Sequence, residues 1–338
     1  MKCTHADKAI AASVLSKMLV TSLLLSCRVT AVRAADSNPR VDDVLVALTS
    51  IVPTPRSVPC DAGDFAVPSG GHLQGIQQAT IAGQRFAILS GSARESYLAL
   101  IALEEDAGRV VKIKPLLPRP FKHAGGFQVC GDYLAVGIED DNTKMASRIW
   151  ILKLSDLLQT AVPTPIIEIE RHGAYKRATA GAVGMAKVGS RHLLCVGTWD
   201  SATIDLYVSN GKALDDPACA FASRETWDAK QADRSNWSDG DFASYQNLNL
   251  VVDTSDRVLL IGFAHTRGSD VADVFELHME PAVPVAKRLE KRHRHILHGQ
   301  NTSFRHGAGL TVVDAETLTV LSCGYQKFVI ERFEPPRR

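Results

Sequence analysis

The sequence predicts an all-β fold made of repeated units, and three observations support this prediction. A short motif recurs along the chain: Gly or Asn stands at its fourth position and a hydrophobic residue follows. The stretches between the motifs are short, rich in β-branched residues and bounded by Gly or polar turns, as strands are. Few segments show the 3.6-residue apolar period of a helix. The copies of the motif are His72–Gln77, His123–Gln128, Gly181–Ala186, Ser244–Asn249 and His306–Thr311.

The spacing of the motif indicates the architecture. The copies begin at residues 72, 123, 181, 244 and 306, so one repeat spans about 50 to 60 residues. Four strands fit into each of the first four repeats, but only three fit into the last. Repeats of this length with four strands each are typical of β-propellers, in which every repeat forms one blade. The sequence therefore predicts a single propeller domain over residues 41–334, with five blades favoured over six.

The fourth strand of the last blade is expected to come from the N-terminus. Val44–Val52 is an apolar run of strand length that is closed by Pro53 and Pro55. Paired with the last blade, this run would close the ring and leave no open sheet edge.

The first 34 residues are predicted to be a secretory signal peptide. Three lysines precede the apolar run 18–27, and Val32-Arg-Ala34 fits a cleavage site with small residues. The run is shorter than the roughly 20 residues that a membrane-spanning helix needs, so no transmembrane segment is expected. The protein is thus expected to be secreted or periplasmic, with a lipid anchor at Cys27 as the alternative.

The overall charge gives no support to nucleic acid as the main partner. Lys and Arg number 38 against 37 Asp and Glu, which leaves a net charge of +1. A chain so evenly balanced gives no reason to expect nucleic acid as its ligand. Partners must be inferred from local sites, and a small molecule, a carbohydrate or another protein is expected.

The repeat resembles those of β-propeller proteins over essentially all of residues 41–334. Two features are similar to repeats of secreted bacterial propellers without an assigned function. They are an inner strand with the pattern Gly-hydrophobe-Gln and, after it, the segment Tyr133-Leu-Ala-Val-Gly137. Five-bladed propellers include arabinanase-type glycosidases and small lectins, so the resemblance implies no single function. Arabinanase-like enzymes carry carboxylates on their inner strands, whereas these strands carry Gln77, Gln128 and Asn249. A catalytic pair of acids would have to come from the turns.

Three histidines begin inner strands at equivalent positions, in the first, second and fifth repeats. These blades become neighbours when the ring closes, so His72, His123 and His306 are expected to converge at one end of the central opening. Imidazoles grouped in this way bind a divalent metal ion or donate hydrogen bonds to a ligand. The alternative is that each His only caps its own blade.

The turns after the second strands lie at the same end of the blades, and they carry acids, an aromatic residue and cations. Carboxylates and His there are candidates for acid–base catalysis, and an indole is a platform for a sugar ring. The candidate catalytic residues are Glu139, Asp140, Asp200 and His265. The candidate ligand-binding residues are His72, His123, His306, Trp199, Arg267 and Gln246.

Two functions fit this end of the propeller. The first is an extracytoplasmic hydrolase or lyase that acts on a carbohydrate or another polar ligand, with a divalent metal ion as the candidate cofactor. The second is a non-catalytic module that binds a ligand or a protein. The unequal distribution of His among the repeats favours the enzyme, because a multivalent lectin would repeat its pocket. The absence of a recognised catalytic motif favours the module.

Overall fold

The computed structural model describes residues 39–337, and its fold is all-β, as predicted. Short antiparallel strands joined by turns make up most of its regular structure. The predicted signal peptide, residues 1–34, and its alternative anchor Cys27 lie outside the described residues. Over residues 39–337, no helix has both the length and the apolar character needed to cross a bilayer.

The N-terminal apolar run forms a helix, so the strand predicted over Val44–Val52 is wrong. Helix α1 (Val44–Thr49) begins after Asp43, whose Oδ1 accepts hydrogen bonds from two backbone N–H groups of the first turn at 2.8 and 3.0 Å. A short apolar run can satisfy the strand period and the helix period alike, and here the cap selects the helix. The buried residues have the helical spacing i, i+3 and i+4: Val44, Ala47 and Leu48.

A later N-terminal segment pairs with the last strands of the chain. Strand β1 (Arg56–Val58) lies antiparallel to β21 (Ile330–Phe333), with Val58 opposite Ile330. The next strand, β2 (Cys60–Asp61), pairs in parallel with β6 (Gly108–Pro118). The N-terminus thus supplies the fourth strand of the last sheet from the residues after Pro55.

The other strands follow one another in antiparallel groups of four, and each strand pairs with the next along the chain. The first group consists of β3 (His72–Ile81), β4 (Gln84–Ser92), β5 (Glu95–Leu103) and β6. The second group consists of β7 (His123–Cys130), β8 (Tyr133–Glu139), β9 (Ala146–Lys153) and β10 (Ile167–His172), with helix α2 (Asp156–Gln159) after β9.

The later groups have the same order of strands. The third group consists of β11 (Ala182–Val188), β12 (Arg191–Gly197), β13 (Thr203–Ser209) and β14 (Phe221–Asp228), with a 3-10 turn at Trp199–Ser201. The fourth consists of β15 (Asn247–Val252), β16 (Val258–Thr266), β17 (Ser269–Leu277) and β18 (Leu289–Leu297), with a 3-10 turn at Val285–Lys287. The fifth consists of β19 (Ala308–Val312), β20 (Leu318–Cys323), β21 and β1.

Apolar layers lie between the groups. Within residues 39–337, buried hydrophobic residues form five clusters, and each cluster takes its members from two groups. The pairs are the first and second, second and third, third and fourth, fourth and fifth, and fifth and first groups. Because each group is covered on both faces, strands such as β4 and β16 have continuous buried stretches instead of alternation.

The first strands of the groups approach one another closely at the Gly of the motif. A Cβ atom on Gly309 would lie 1.9 Å from the backbone oxygen of Ile76, and one on Gly126 would lie 2.4 Å from that of Gln246. Neither site has room for a side chain, which explains why the motif has Gly there.

Buried amide side chains link the same strands. Oε1 of Gln128 accepts hydrogen bonds from one backbone N–H of β11 and one of β15, at 2.9 and 2.7 Å, and its Nε2 donates to a carbonyl of β15 at 2.7 Å. Gln77 donates to Oδ1 of Asn249 at 3.1 Å, and that oxygen also accepts from the N–H of Leu310 at 2.8 Å. These two sets of hydrogen bonds connect the first strands of all five groups.

We expect the substitution Gln128→Ala to lower the free energy of unfolding by roughly 2–5 kcal/mol, because it leaves buried N–H groups of β11 and β15 without acceptors. Urea denaturation of the purified protein measures this change. Gln78→Ala, at a partly exposed position of β3, is the control and should change the free energy by less than about 0.5 kcal/mol. Equal effects of the two substitutions would contradict the role assigned to Gln128.

Candidate functional site

A cavity of about 270 Å³ lies where first strands begin and second strands end. Its wall comes from the first four groups. Six of the residues predicted from the sequence line it: His72, His123, Glu139, Trp199, Asp200 and Gln246.

Five rings form an arc along one side of this site. The centroid of Tyr325 lies 4.6 Å from that of His306 and 5.0 Å from that of His72. The arc continues from His72 to His123 at 6.1 Å, and from His123 to Trp199 at 6.5 Å. His72 and His123 are therefore neighbours, whereas Tyr325 separates His306 from them.

The grouping of side chains gives no support to the metal ion predicted at His72, His123 and His306. In the part of the chain that the structure describes, no three His, Cys, Asp or Glu side chains are grouped so that they could hold a metal ion. The physical reason is the ring of Tyr325, which stacks on His72 and contacts His306 between them.

Burial keeps two of these imidazoles neutral. Burial, and after it the nearby imidazole of His123, lower the pKa of His72 to about 4. Burial and the charge of Arg305 also lower the pKa of His306. Near pH 7 both rings are therefore uncharged and each has one nitrogen that can accept a hydrogen bond.

The pair His123 and Glu139 has the geometry of an oriented base. Nδ1 of His123 lies 2.9 Å from Oε2 of Glu139, whose other oxygen accepts a hydrogen bond from the N–H of Ala180 at 2.7 Å. The Glu139 side chain is only 1% exposed, so this position is fixed. Because a carboxylate only accepts hydrogen bonds, Nδ1 carries the proton and Nε2 is the basic nitrogen. This tautomer is the one that a general base requires.

The two other carboxylates of the wall are each engaged. Asp141 pairs with Lys122 at 3.1 Å. Burial alone would raise the pKa of Asp141, but the hydrogen bond from Lys122 and the neighbouring positive charges hold it below its usual value. Asp200 accepts a hydrogen bond from Oγ of Ser244 at 2.8 Å, and its left-handed backbone (φ 60°) forms the turn that places Trp199 on the wall.

Besides His306, three of the predicted residues lie away from the cavity wall. Asp140 accepts hydrogen bonds from the backbone N–H groups and the hydroxyl of residues 142–143, so it shapes the turn after β8. Nδ1 of His265 lies 2.8 Å from Asp270. Arg267 is 78% exposed and pairs with Asp241 at 3.2 Å.

Tyr325 in the arc, and Asp141 and Tyr245 in the wall, were not predicted from the sequence. Tyr325 follows the second strand of the fifth group, as Trp199 follows that of the third. The rule that selected Trp199 would have found Tyr325 if the last repeat had been included.

No family model matches the sequence, and no curated protein matches it. Among solved structures, an α-L-arabinanase from Penicillium chrysogenum has a TM-score of 0.48 and 7% identity, over 84% of this chain and 98% of that chain. A GH62 α-L-arabinofuranosidase from Coprinopsis cinerea has a TM-score of 0.47 and 11% identity, over 83% and 96%. A DUF4623 family protein from Bacteroides eggerthii has a TM-score of 0.39 and 9% identity, over 77% of this chain. The matched part covers 58% of that protein. Identities this low transfer no activity to this chain.

We expect His72 to titrate with a midpoint near pH 4, because it is buried beside a second imidazole. The pKa of His72 in the folded protein lies below the ordinary value of 6.5. Between pH 6.5 and pH 4 the imidazole is therefore protonated in the unfolded chain but not in the folded protein, so stability is lost as the pH falls through this window. NMR of the His Cε1 protons measures the midpoint, with His72→Gln identifying the resonance. A midpoint near 6.5 would show that the ring is solvated.

Proposed function

We propose that the five strand groups are the blades of a five-bladed β-propeller formed by residues 41–334. The five apolar clusters support this, because each group shares a cluster with two neighbours and the fifth shares one with the first. The pairing of β1 with β21 also supports a ring joined at its ends. Export of this propeller from the cytoplasm stays a prediction from residues 1–34.

We propose further that the cavity binds a carbohydrate. Trp199 offers a partly exposed indole, on which the apolar face of a sugar ring can stack. Asp200, Gln246 and the neutral His72 surround it with groups that exchange hydrogen bonds with hydroxyls. A pocket of about 270 Å³ with one flat aromatic and several polar residues suits one or two sugar units.

The single observation that supports catalysis is the His123–Glu139 pair on the wall of this cavity. In the proposed hydrolysis, Nε2 of His123 takes a proton from water as the water oxygen bonds to the anomeric carbon and the glycosidic C–O bond breaks. The carboxylate of Glu139 stabilises the imidazolium that forms, and the imidazolium then gives its proton to the leaving oxygen. A lyase would use the same base to remove a proton from the sugar. Glu139 acts through His123 and is therefore a positioning residue.

One observation favours the non-catalytic alternative. Retaining and inverting glycosidases use a pair of carboxyl groups that face the scissile bond. Within residues 39–337, the carboxylates on the cavity wall are already engaged, by His123, Lys122 and Ser244. A module that only binds its ligand would need no such pair.

We expect Glu139→Gln to lower kcat by about 10²- to 10⁴-fold with a change in KM of only a few-fold, because the base loses its orientation and not its contact with the substrate. Release of reducing ends from a panel of plant and bacterial polysaccharides measures the activity. His278→Ala is the matched control, since His278 and Glu290 form a similar pair at 3.1 Å away from the cavity.

The same experiment separates the two functions. Binding of a saccharide without any bond cleavage by the wild-type protein would establish the binding module. Cleavage that Glu139→Gln leaves unchanged would contradict the positioning role of Glu139.

A further inference from the structure

Two lysines lie over the indole that we assign to sugar stacking. The Nζ atom of Lys144 lies 3.5 Å from the centre of the Trp199 ring, and that of Lys176 lies 5.4 Å from it. Both distances are within the range of cation–π contacts. The indole on the cavity wall is therefore already in contact with two ammonium groups.

The backbone of both turns is shaped to bring these side chains there. Lys144 and Lys176 have left-handed backbones, with φ of 55° and 63°, which non-Gly residues adopt infrequently. The N–H of Lys176 donates to the carbonyl of Lys144 at 2.8 Å, and the N–H of Lys144 donates to that of Asp140 at 2.9 Å. Strained backbone that the surrounding hydrogen bonds hold in place is a feature of ligand sites.

Within residues 39–337, no ion pair neutralises the charges of these lysines. Over the residues that the structure describes, neither Lys144 nor Lys176 has a carboxylate within ion-pair distance, whereas Lys122 pairs with Asp141. Lys144 lies near enough to Asp141 to help lower its pKa, but that carboxylate is hydrogen-bonded to Lys122. Two ammonium groups thus remain available beside the cavity.

We propose that the ligand is an acidic saccharide, whose uronic-acid carboxylate binds Lys144 and Lys176 while its ring lies against Trp199. This inference rests on the proposed binding of a carbohydrate. A neutral sugar would have to displace Lys144 from the indole without offering it a new partner. A carboxylate offers both ammonium groups charge-assisted hydrogen bonds in exchange for the cation–π contact.

The test compares uronic-acid oligosaccharides with the same fragments after their carboxyl groups have been reduced to alcohols. The probes are oligogalacturonate, glucuronate-substituted xylan, hyaluronan and alginate fragments, and binding is measured by calorimetry and by tryptophan fluorescence. We expect at least one acidic fragment to bind about tenfold or more tightly than its reduced form. This preference should weaken as the salt concentration rises.

Variants show which residues cause the preference. In Lys144→Ala/Lys176→Ala the acidic fragment should bind no better than its reduced form, and in Lys144→Arg the preference should persist, because the positive charge is kept. Lys212→Ala, a substitution of an exposed lysine away from the cavity, is the control and should bind as the wild type does.

The outcomes distinguish this inference from the proposed function. Reduced fragments that bind as tightly as acidic ones, or more tightly, would overturn the inference and leave a carbohydrate site in place. Tighter binding of neutral fragments by the double Ala variant would show that the lysines only cover the indole. If neither acidic nor reduced saccharides bind to the wild-type protein, both proposals are wrong.

Discussion

The hydrogen bonds of the buried amides between the first strands determine the rest of this structure. The motif Gly residues bring these strands so close that no apolar side chain fits between them at Gly126 and Gly309. Packing of hydrophobic residues therefore cannot fix the strands relative to one another at the centre. Gln128 and Asn249 do so instead, by satisfying backbone groups of neighbouring strands. Because His72 and His123 begin such strands, their separation depends on these hydrogen bonds.

The fourth repeat shows how a departure from the motif fits the same constraint. Asn247 stands where the other repeats have Gly, and its side chain is fully buried. Its Oδ1 lies 2.7 Å from the position that a Cβ on Gly126 would take, and 3.0 Å from that on Gly75. The space that two repeats leave empty is thus filled by the side chain of a third. The repeats are complementary at the centre, which a chain of identical units could not achieve.

The site combines residues that have different duties in different repeats. The second repeat provides the His123–Glu139 pair, the third provides the indole, and the fifth provides Tyr325 between two histidines. This division is open to a repeat protein because the interior of each strand group maintains the fold, while the ends of the strands are free to vary. Asp140 illustrates the supporting role of the turns, since it shapes the turn that carries Lys144.

The sequence by itself determined the all-β class, and it predicted strand starts at His72 and His123, where β3 and β7 begin. These follow from local rules, namely the period of side chains along a strand and the need for Gly at close approaches. Tertiary structure, through burial of one face against the fourth and fifth groups, acted together with the local cap at Asp43 to make Val44–Thr49 a helix. It also decided that His306 is separated from His72, because the ring of Tyr325 lies between them. Which side chains meet depends on the path of each turn and on its neighbours across the molecule, and no local pattern contains that information.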